Sequence, residues 1–288
     1  SRVNGAFKMA PGVLVLCALA LAKGAQLVPP GNAPTAGMRP NMPLVACTGG
    51  GILFWWQAGA IHGLREQCAL DEANFIGASA GSLAAVLAAS GVDMDDAFEH
   101  AITLSKRANL WERPLGLAGV WGEIVREWLD DLLPADAAER ARGRVTILVL
   151  RTLPFPRRVR FSAFESKSDL IDCALASCHI PYFLDGRFSA RFRRARWIDG
   201  SFLTSRTRDF RHDDGSAPML YLDPAADPNA PRDFLRLRTP EGVRAMMESG
   251  LAYARSPELR PGFAELAAAL AYGAPDVGLG GQASNGGK

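Results

Sequence analysis

The sequence predicts an α/β fold, a three-layer α/β/α sandwich on a mainly parallel central sheet. Three observations lead there. Apolar runs of strand length alternate with helical patterns from Leu44 onward. One of those strands, "NFI", runs into "GASAG" at 77–81, where glycines flank a single serine at the entry to a helix. That helix is built almost wholly of small apolar residues, so no face of it suits water and it belongs in the middle of the domain.

The elements follow in order. "PLVAC" (43–47) is a short buried strand that ends at a glycine cluster, and "FWWQAGAIHGLREQ" (54–67) is a helix with Ala58, Ile61, Leu64 and Cys68 at spacings of three and four. "NFI" (74–76) ends a second strand, and the alanine-rich helix comes next. In "DMDDAFEHAITLSKRAN" (93–109), Asp93 is the expected N-cap, with acidic residues in the first turn and Lys106 and Arg107 in the last, both complementing the helix dipole. "WGEIVREWLDDLL" (121–133) is amphipathic; "RVTILVL" (144–150) and "RVRFSAF" (158–164) are strands. "SKSDLIDCALASC" (166–178) is a helix that must stop at Ile180, because Pro181 disfavours helical geometry before it. "RFRRARWI" (191–198) alternates like a single strand and ends at Asp199-Gly200, "PMLYLD" (218–223) adds a late strand, and "EGVRAMMESGLAYA" (241–254) a closing helix.

The folded domain is expected over 44–275. Ahead of it, "LVPPGNAPTAGMRPNMP" (27–43) reads as an unstructured linker and residues 1–26 as a leader, in which Lys8 precedes an apolar run from Val13 to Ala22. Such a run of about ten residues is shorter than the roughly 20 that span a bilayer, so it fits a signal for the secretory pathway or an organelle, or an arm dipping into a membrane. Without that leader the expectation is cytoplasmic. The last residues, 276–288, carry no apolar periodicity and read as a disordered tail.

With 288 residues, 48% hydrophobic and 22% charged, the chain has the composition of an enzyme domain, and its net charge of +2 is too small for bulk nucleic-acid binding. Five cysteines (Cys17, Cys47, Cys68, Cys173, Cys178) show neither metal-ligand spacing nor an even disulfide set and read as buried thiols. Four scattered histidines offer no zinc motif, and no acidic run has calcium-ligand spacing. Basic residues concentrate in "PRRVR" (156–160) and "RFRRARW" (191–197), as a solvated strand edge or as a surface for anionic headgroups.

A strand that turns sharply into a helix strains the residue at its apex, and only glycine-sized neighbours let the two backbones pass. Gly77 and Gly81 therefore lift the Ser79 hydroxyl clear at a helix N-terminus, where developing negative charge is favoured. A serine nucleophile needs an oxyanion stabiliser and a base. "CTGGGILFWW" (47–56) offers the amides of Gly49, Gly50 and Gly51 for the first task; a phosphate loop would want Lys-Ser/Thr, and a dinucleotide fingerprint would want glycine at Phe54. For the base, "RWIDGSF" ends a strand at Asp199, a carboxylate that can take the serine proton directly. His179, in "CHIPY", and His212, in the polar "RDFRHDDGS", are the alternative bases of a histidine-dependent esterase, and both read as structural. Trp55 and Trp56 pack under the first helix, against an acyl chain or at a membrane interface.

In this order, "TGGG", "GASAG", "ASCHIPYF" and "IDG" resemble the patatin-like phospholipases, closest to the branch of adiponutrin-type acyl hydrolases, over roughly 43–221. The resemblance implies a patatin-like sandwich and a Ser-Asp dyad with Ser79 as nucleophile and Asp199 as base. It further implies an oxyanion hole at Gly49, Gly50 and Gly51, and acyl-ester hydrolysis of lipids without a cofactor or metal. It implies a glycerolipid substrate and peripheral contact with a membrane or lipid-droplet surface, with no nucleic acid involved and the oligomeric state open. A transacylase using the same acyl-enzyme and a silent lipid-binding scaffold are the alternatives. Two departures stand out: Phe54 occupies a position that is commonly glycine, and the third motif is Asp-Gly-Ser where Asp-Gly-Ala or Asp-Gly-Gly is usual.

Overall fold

The computed structural model describes residues 37–228, 230, 236–256 and 262–271. The expected leader, most of the linker and the tail lie outside them. Seven strands make one mixed sheet: β1 (Leu44–Cys47), β2 (Asn74–Ala78), β3 (Val145–Arg151), β4 (Arg157–Phe161), β5 (Ala190–Phe192), β6 (Ala195–Ile198) and β7 (Leu220–Leu222). Their order is β5-β6-β3-β2-β1-β7, with β4 also paired to β3. β7, β1, β2 and β3 are parallel neighbours, whereas β4 and β6 run antiparallel to β3.

Side chains alternate between the two faces of this sheet, and the faces are covered unequally. Val45, Cys47, Phe75, Val145, Ile147 and Val149 enter the main core. Into that core also pack the helices α1 (Phe54–Arg65), α2 (Ala80–Ala89), α3 (Met94–Arg107), α4 (Trp121–Leu132), α6 (Lys167–Ser177) and α8 (Pro240–Arg255). Short helices α5 (Ala137–Ala141), α7 (Arg206–Asp209) and α9 (Phe263–Ala269) complete the set among the described residues. The opposite face, with Leu44, Ala46, Ile76, Ala78 and Leu148, is covered by Met38 and Phe210.

Local chemistry accounts for most of these elements. Asp93 caps α3, accepting from the amides of Asp95 and Asp96 at 2.8 and 3.0 Å. Thr239 caps α8, accepting from Gly242 at 3.2 Å. α1 and α8 pack closely through two glycines: a Cβ on Gly59 would stand 1.9 Å from the Met247 carbonyl oxygen, and one on Gly250 would stand 1.9 Å from that of Trp56.

Two expectations are corrected. "RFRRARWI" is a hairpin rather than one strand: Phe192 faces Ala195, and Arg193 and Arg194 make the turn with φ of 44° and 60°. Two successive residues at positive φ match the twist of a tight hairpin, a conformation usually signalled by Asn or Gly. Arg193 is held there by its ion pair with Asp169 and by donating to the Ala163 carbonyl at 2.7 Å. Residues 37–43, read as linker, are seated on the domain. Met38 is 8% exposed, its amide donates to Asp213 Oδ2 at 2.7 Å, and the Arg39 amide donates to the Gly143 carbonyl at 2.8 Å. The reason is the thinly covered second face, which takes the Met38 side chain as part of its core.

Cys47, Cys68 and Cys173 are buried free thiols and Cys178 is half-buried. Among the described residues no helix is long and apolar enough to cross a membrane, and no cluster of His, Cys, Asp and Glu is arranged to hold a metal.

Candidate active site

The sheet register brings Ser79 and Asp199 together. β2 pairs with β3 as far as Ala78 opposite Leu148, and β4 occupies the other side of β3 from Ile147 to Arg151. β6 pairs with β3 at Leu150 and Arg151, so it must lie on the side that β2 has vacated, running the opposite way. One residue beyond each strand end, Ser79 and Asp199 meet head-on beside Val149. The Ser79 hydroxyl donates to Asp199 Oδ2 at 2.6 Å, across 120 positions of sequence.

Ser79 has φ 52° and ψ −131°, a strained conformation for any residue with a Cβ. Its surroundings hold it there. The Ser79 amide donates to Ser177 Oγ at 2.9 Å, the Ser177 hydroxyl donates to the Leu148 carbonyl at 2.7 Å, and the Ser79 carbonyl accepts from Ser82 Oγ at 2.6 Å. Gly77 and Gly81 clear the passage as the sequence requires: a Cβ on Gly77 would come within 2.3 Å of the Gly81 carbonyl oxygen, and one on Gly81 within 2.0 Å of that of Cys47.

Asp199 is buried, and its second oxygen, Oδ1, accepts from the Ser201 amide at 2.8 Å and from the Ser201 hydroxyl. Burial raises its pKa above the usual carboxylate range, and the hydrogen bonds from Ser201 and Ser79 pull against that rise. Its backbone is fixed too: the Asp199 amide donates to the His179 carbonyl, and the Gly200 amide to that of Ser177, each at 2.9 Å.

Gly49 lies against this pair. A Cβ there would stand 2.8 Å from Ser201 Oγ and 3.3 Å from Ser79 Cβ, so only a bare backbone fits. Gly50 and Gly51 continue into a single 3₁₀ turn, Gly51–Leu53, with Gly51 at φ 54°. Among the described residues, the amides of Gly49, Gly50 and Gly51 have no acceptor within the chain. Backbone donors without an acceptor in a loop that passes Ser79 at Gly49 are the groups an oxyanion site is built from.

From Ser79 an apolar pocket extends between α1, α3, α4 and the 178–184 loop. Its walls include Trp55, Leu83, Ala101, Trp121, Val125 and Phe183, and no charged side chain lines it. The two tryptophans divide their work. Trp56 is fully buried, donates to Asp227 Oδ2 at 2.6 Å and packs at a tilt against Tyr253. Trp55 packs edge-on against Phe98 and also forms part of the pocket wall.

The rings of His179 and His212 have other surroundings. The His179 ring nitrogen Nε2 is 3.1 Å from the Arg187 carbonyl oxygen, and burial lowers its pKa. His212 sits in a turn closed by its amide donating to the Ser216 carbonyl at 3.0 Å, and burial lowers its pKa as well. Sequence reading missed Ser177 and Ser201 as supports of the pair. Ser201 was visible only as a departure from Asp-Gly-Ala, and Ser177 as one more serine at a helix end.

Comparison with known proteins gives one family match: residues 45–207, more than half of the chain, fit the family described as patatin-like phospholipase. The chain is 30% identical over 170 residues to mouse omega-hydroxyceramide transacylase, covering 58% of this chain and 28% of that protein. It is 32% identical over 160 residues to human patatin-like phospholipase domain-containing protein 2, covering 54% and 31%. With human 1-acylglycerol-3-phosphate O-acyltransferase PNPLA3 it shares 28% identity over 158 residues, covering 53% and 32%. The chain thus spans less than a third of the length of these curated relatives.

Proposed function

The chain belongs to the patatin-like phospholipase family, and from that premise we propose that it is a lipid acyl hydrolase working through Ser79 and Asp199. The observation that carries this reading is the 2.6 Å hydrogen bond from the Ser79 hydroxyl to Asp199 Oδ2 at the head of an apolar pocket. As Ser79 Oγ attacks an ester carbonyl, Asp199 accepts the hydroxyl proton. The carbonyl oxygen, now negative, is met by the free amides of Gly49, Gly50 and Gly51, each such donor contributing on the order of 3 kcal/mol to the transition state. Collapse of the intermediate breaks the ester C–O bond, and the leaving alcohol takes the proton from Asp199. Asp199 then draws a proton from water as the water oxygen attacks the acyl carbon, and when the bond to Ser79 Oγ breaks Asp199 returns the proton to that oxygen, releasing the carboxylic acid.

The substrate is a glycerolipid, a phospholipid or acylglycerol, drawn from a membrane or lipid-droplet surface: the pocket wall is apolar throughout and suits an acyl chain better than a polar body. No residue in this scheme calls for a cofactor or metal. A second reading, acyl transfer to a lipid alcohol instead of water, is favoured by two of the relatives, a transacylase and an acyltransferase. Both readings share the acyl-enzyme.

Labelling with a fluorophosphonate probe tests the scheme. Wild-type protein is expected to label, Ser79→Ala to lose the label entirely, and Asp199→Asn to slow labelling by about a thousandfold or more, in the range of a lost general base. Absence of wild-type labelling would leave a lipid-binding scaffold, and loss of activity in His179→Ala or His212→Ala with Asp199→Asn active would favour the histidine-dependent esterase. Product analysis with and without an added lipid alcohol separates hydrolysis from transfer.

A further inference from the structure

We propose that the turn joining β3 to β4, with the arginines around it, is a docking surface for a membrane that bears anionic phospholipids. This rests on the reading above that substrate is drawn from a lipid surface, and names which surface of the protein and which lipid charge.

The turn reads "TLPFP" (152–156), and its apolar side chains face water: Leu153 is 59% exposed and Phe155 78%. Prolines on both sides of Phe155 restrict the backbone, so the two side chains are displayed on a stiff tip. Large apolar groups held outward in this way mark a binding surface rather than a core.

Around the tip, arginine faces arginine. Arg151 pairs across the ladder with Arg157, and Arg191 with Arg196. Like charges directly opposite one another on neighbouring strands are destabilising unless an anion lies between them. Nearby arginines have such a partner: Arg158 pairs with Asp209 at 3.1 Å, Arg160 with Asp213 at 3.3 Å, and Arg193 with Asp169. Among the described residues, no carboxylate pairs with Arg151, Arg157, Arg191 or Arg196, and the stretches 151–161 and 187–198 contain no Asp or Glu. No described residue supplies the counter-charge, and an external anion would.

The placement suits a surface. Thr152 donates from its amide to the Arg196 carbonyl at 3.1 Å, tying the tip to β6, and β6 leads in three residues from Arg196 to Asp199. The β3–β4 and β5–β6 turns both lie beyond the strand ends at which Ser79 sits. An apolar point inside a basic collar matches the acyl boundary and phosphate layer of an anionic bilayer. A nucleic acid would use the arginines and leave Leu153 and Phe155 in water.

Vesicle flotation of the full chain tests this, with phosphatidylcholine alone against equimolar phosphatidylcholine and phosphatidylglycerol. Binding is expected on the mixed vesicles and not on phosphatidylcholine, with release as salt is raised. Arg191→Gln/Arg196→Gln is expected to weaken it about thirtyfold and Leu153→Ser/Phe155→Ser about a hundredfold, while both variants keep wild-type turnover of a water-soluble short-chain ester. Equal binding to neutral vesicles, or unchanged binding in both double variants, overturns the proposal. Charge-dependent binding indifferent to Leu153→Ser/Phe155→Ser also overturns it and indicates a polyanion such as RNA. Failure of the catalytic reading looks different: no ester turnover and no fluorophosphonate label, with flotation intact.

Discussion

Asp199 must be ionised to accept a proton, yet it sits where burial favours its neutral form. The acidic limb of the pH–rate profile for a soluble ester is therefore expected above the ordinary carboxylate range. Ser201→Ala removes one donor from Oδ1 and is expected to raise that limb further, because the ionised form loses a hydrogen bond. Stability moves the opposite way. A carboxylate whose folded pKa lies above its unfolded value contributes stability in full below the unfolded pKa and loses it as pH rises through the folded one. Thermal melts are expected to show Asp199→Asn gaining on wild type as pH rises through that window. An acidic limb at the ordinary carboxylate position, or a flat difference in melting temperature, would refute the assignment. Ser79 and Asp199 could be read from sequence because strain at an elbow leaves its mark as flanking glycines. Ser201 and Ser177 could not, since a hydroxyl's partner is decided by strands that meet only in the folded sheet.

At the scale of elements, the elbow depends on how closely α2 passes β1. Gly81 has no room for a methyl group, which would meet the Cys47 and Thr48 carbonyl oxygens at 2.0 and 2.6 Å, both backbone and unable to yield. Gly81→Ala is expected to cost about 3 kcal/mol or more in denaturant unfolding, at the upper end of overpacking costs. Gly242→Ala, in the first turn of α8 with nearest contacts at 3.5 Å, is expected to be neutral or stabilising by up to about 1 kcal/mol. If the two variants unfold alike, close approach is not the reason for Gly81. Helices with a one-sided apolar stripe and a cap, such as α3, were legible because both signals are local. The β5–β6 hairpin was not: its turn carries two arginines, and what holds the first of them, Arg193, is Asp169 and the Ala163 carbonyl, remote in sequence. The same holds for Met38, whose burial depends on a sheet face formed by residues far along the chain.

The pocket belongs to the whole molecule, since no single element encloses it. Phe54 and Trp55 of α1, Ala101 of α3, Val125 and Trp128 of α4, and the 178–184 loop contribute its walls, and the catalytic turn opens onto it. Composition announced an enzyme-like core but not this cavity, because a core residue and a pocket-wall residue are the same apolar types at the same spacings. The small side chain at Ala101, flanked by large aromatic walls, leaves space that an acyl chain can fill. Ala101→Phe fills that space from a helix whose cap and polar face are untouched. If the pocket holds the acyl chain, kcat/KM for long-chain esters falls tenfold or more, in proportion to the methylenes excluded, at roughly 1–3 kcal/mol for each unit of misfit. Turnover of a short-chain soluble ester stays at the wild-type level, because the substitution leaves Ser79, Asp199 and the glycine amides unchanged. Equal losses on short and long esters would mean that the substitution disturbs the dyad, and no loss on either would place the acyl chain elsewhere.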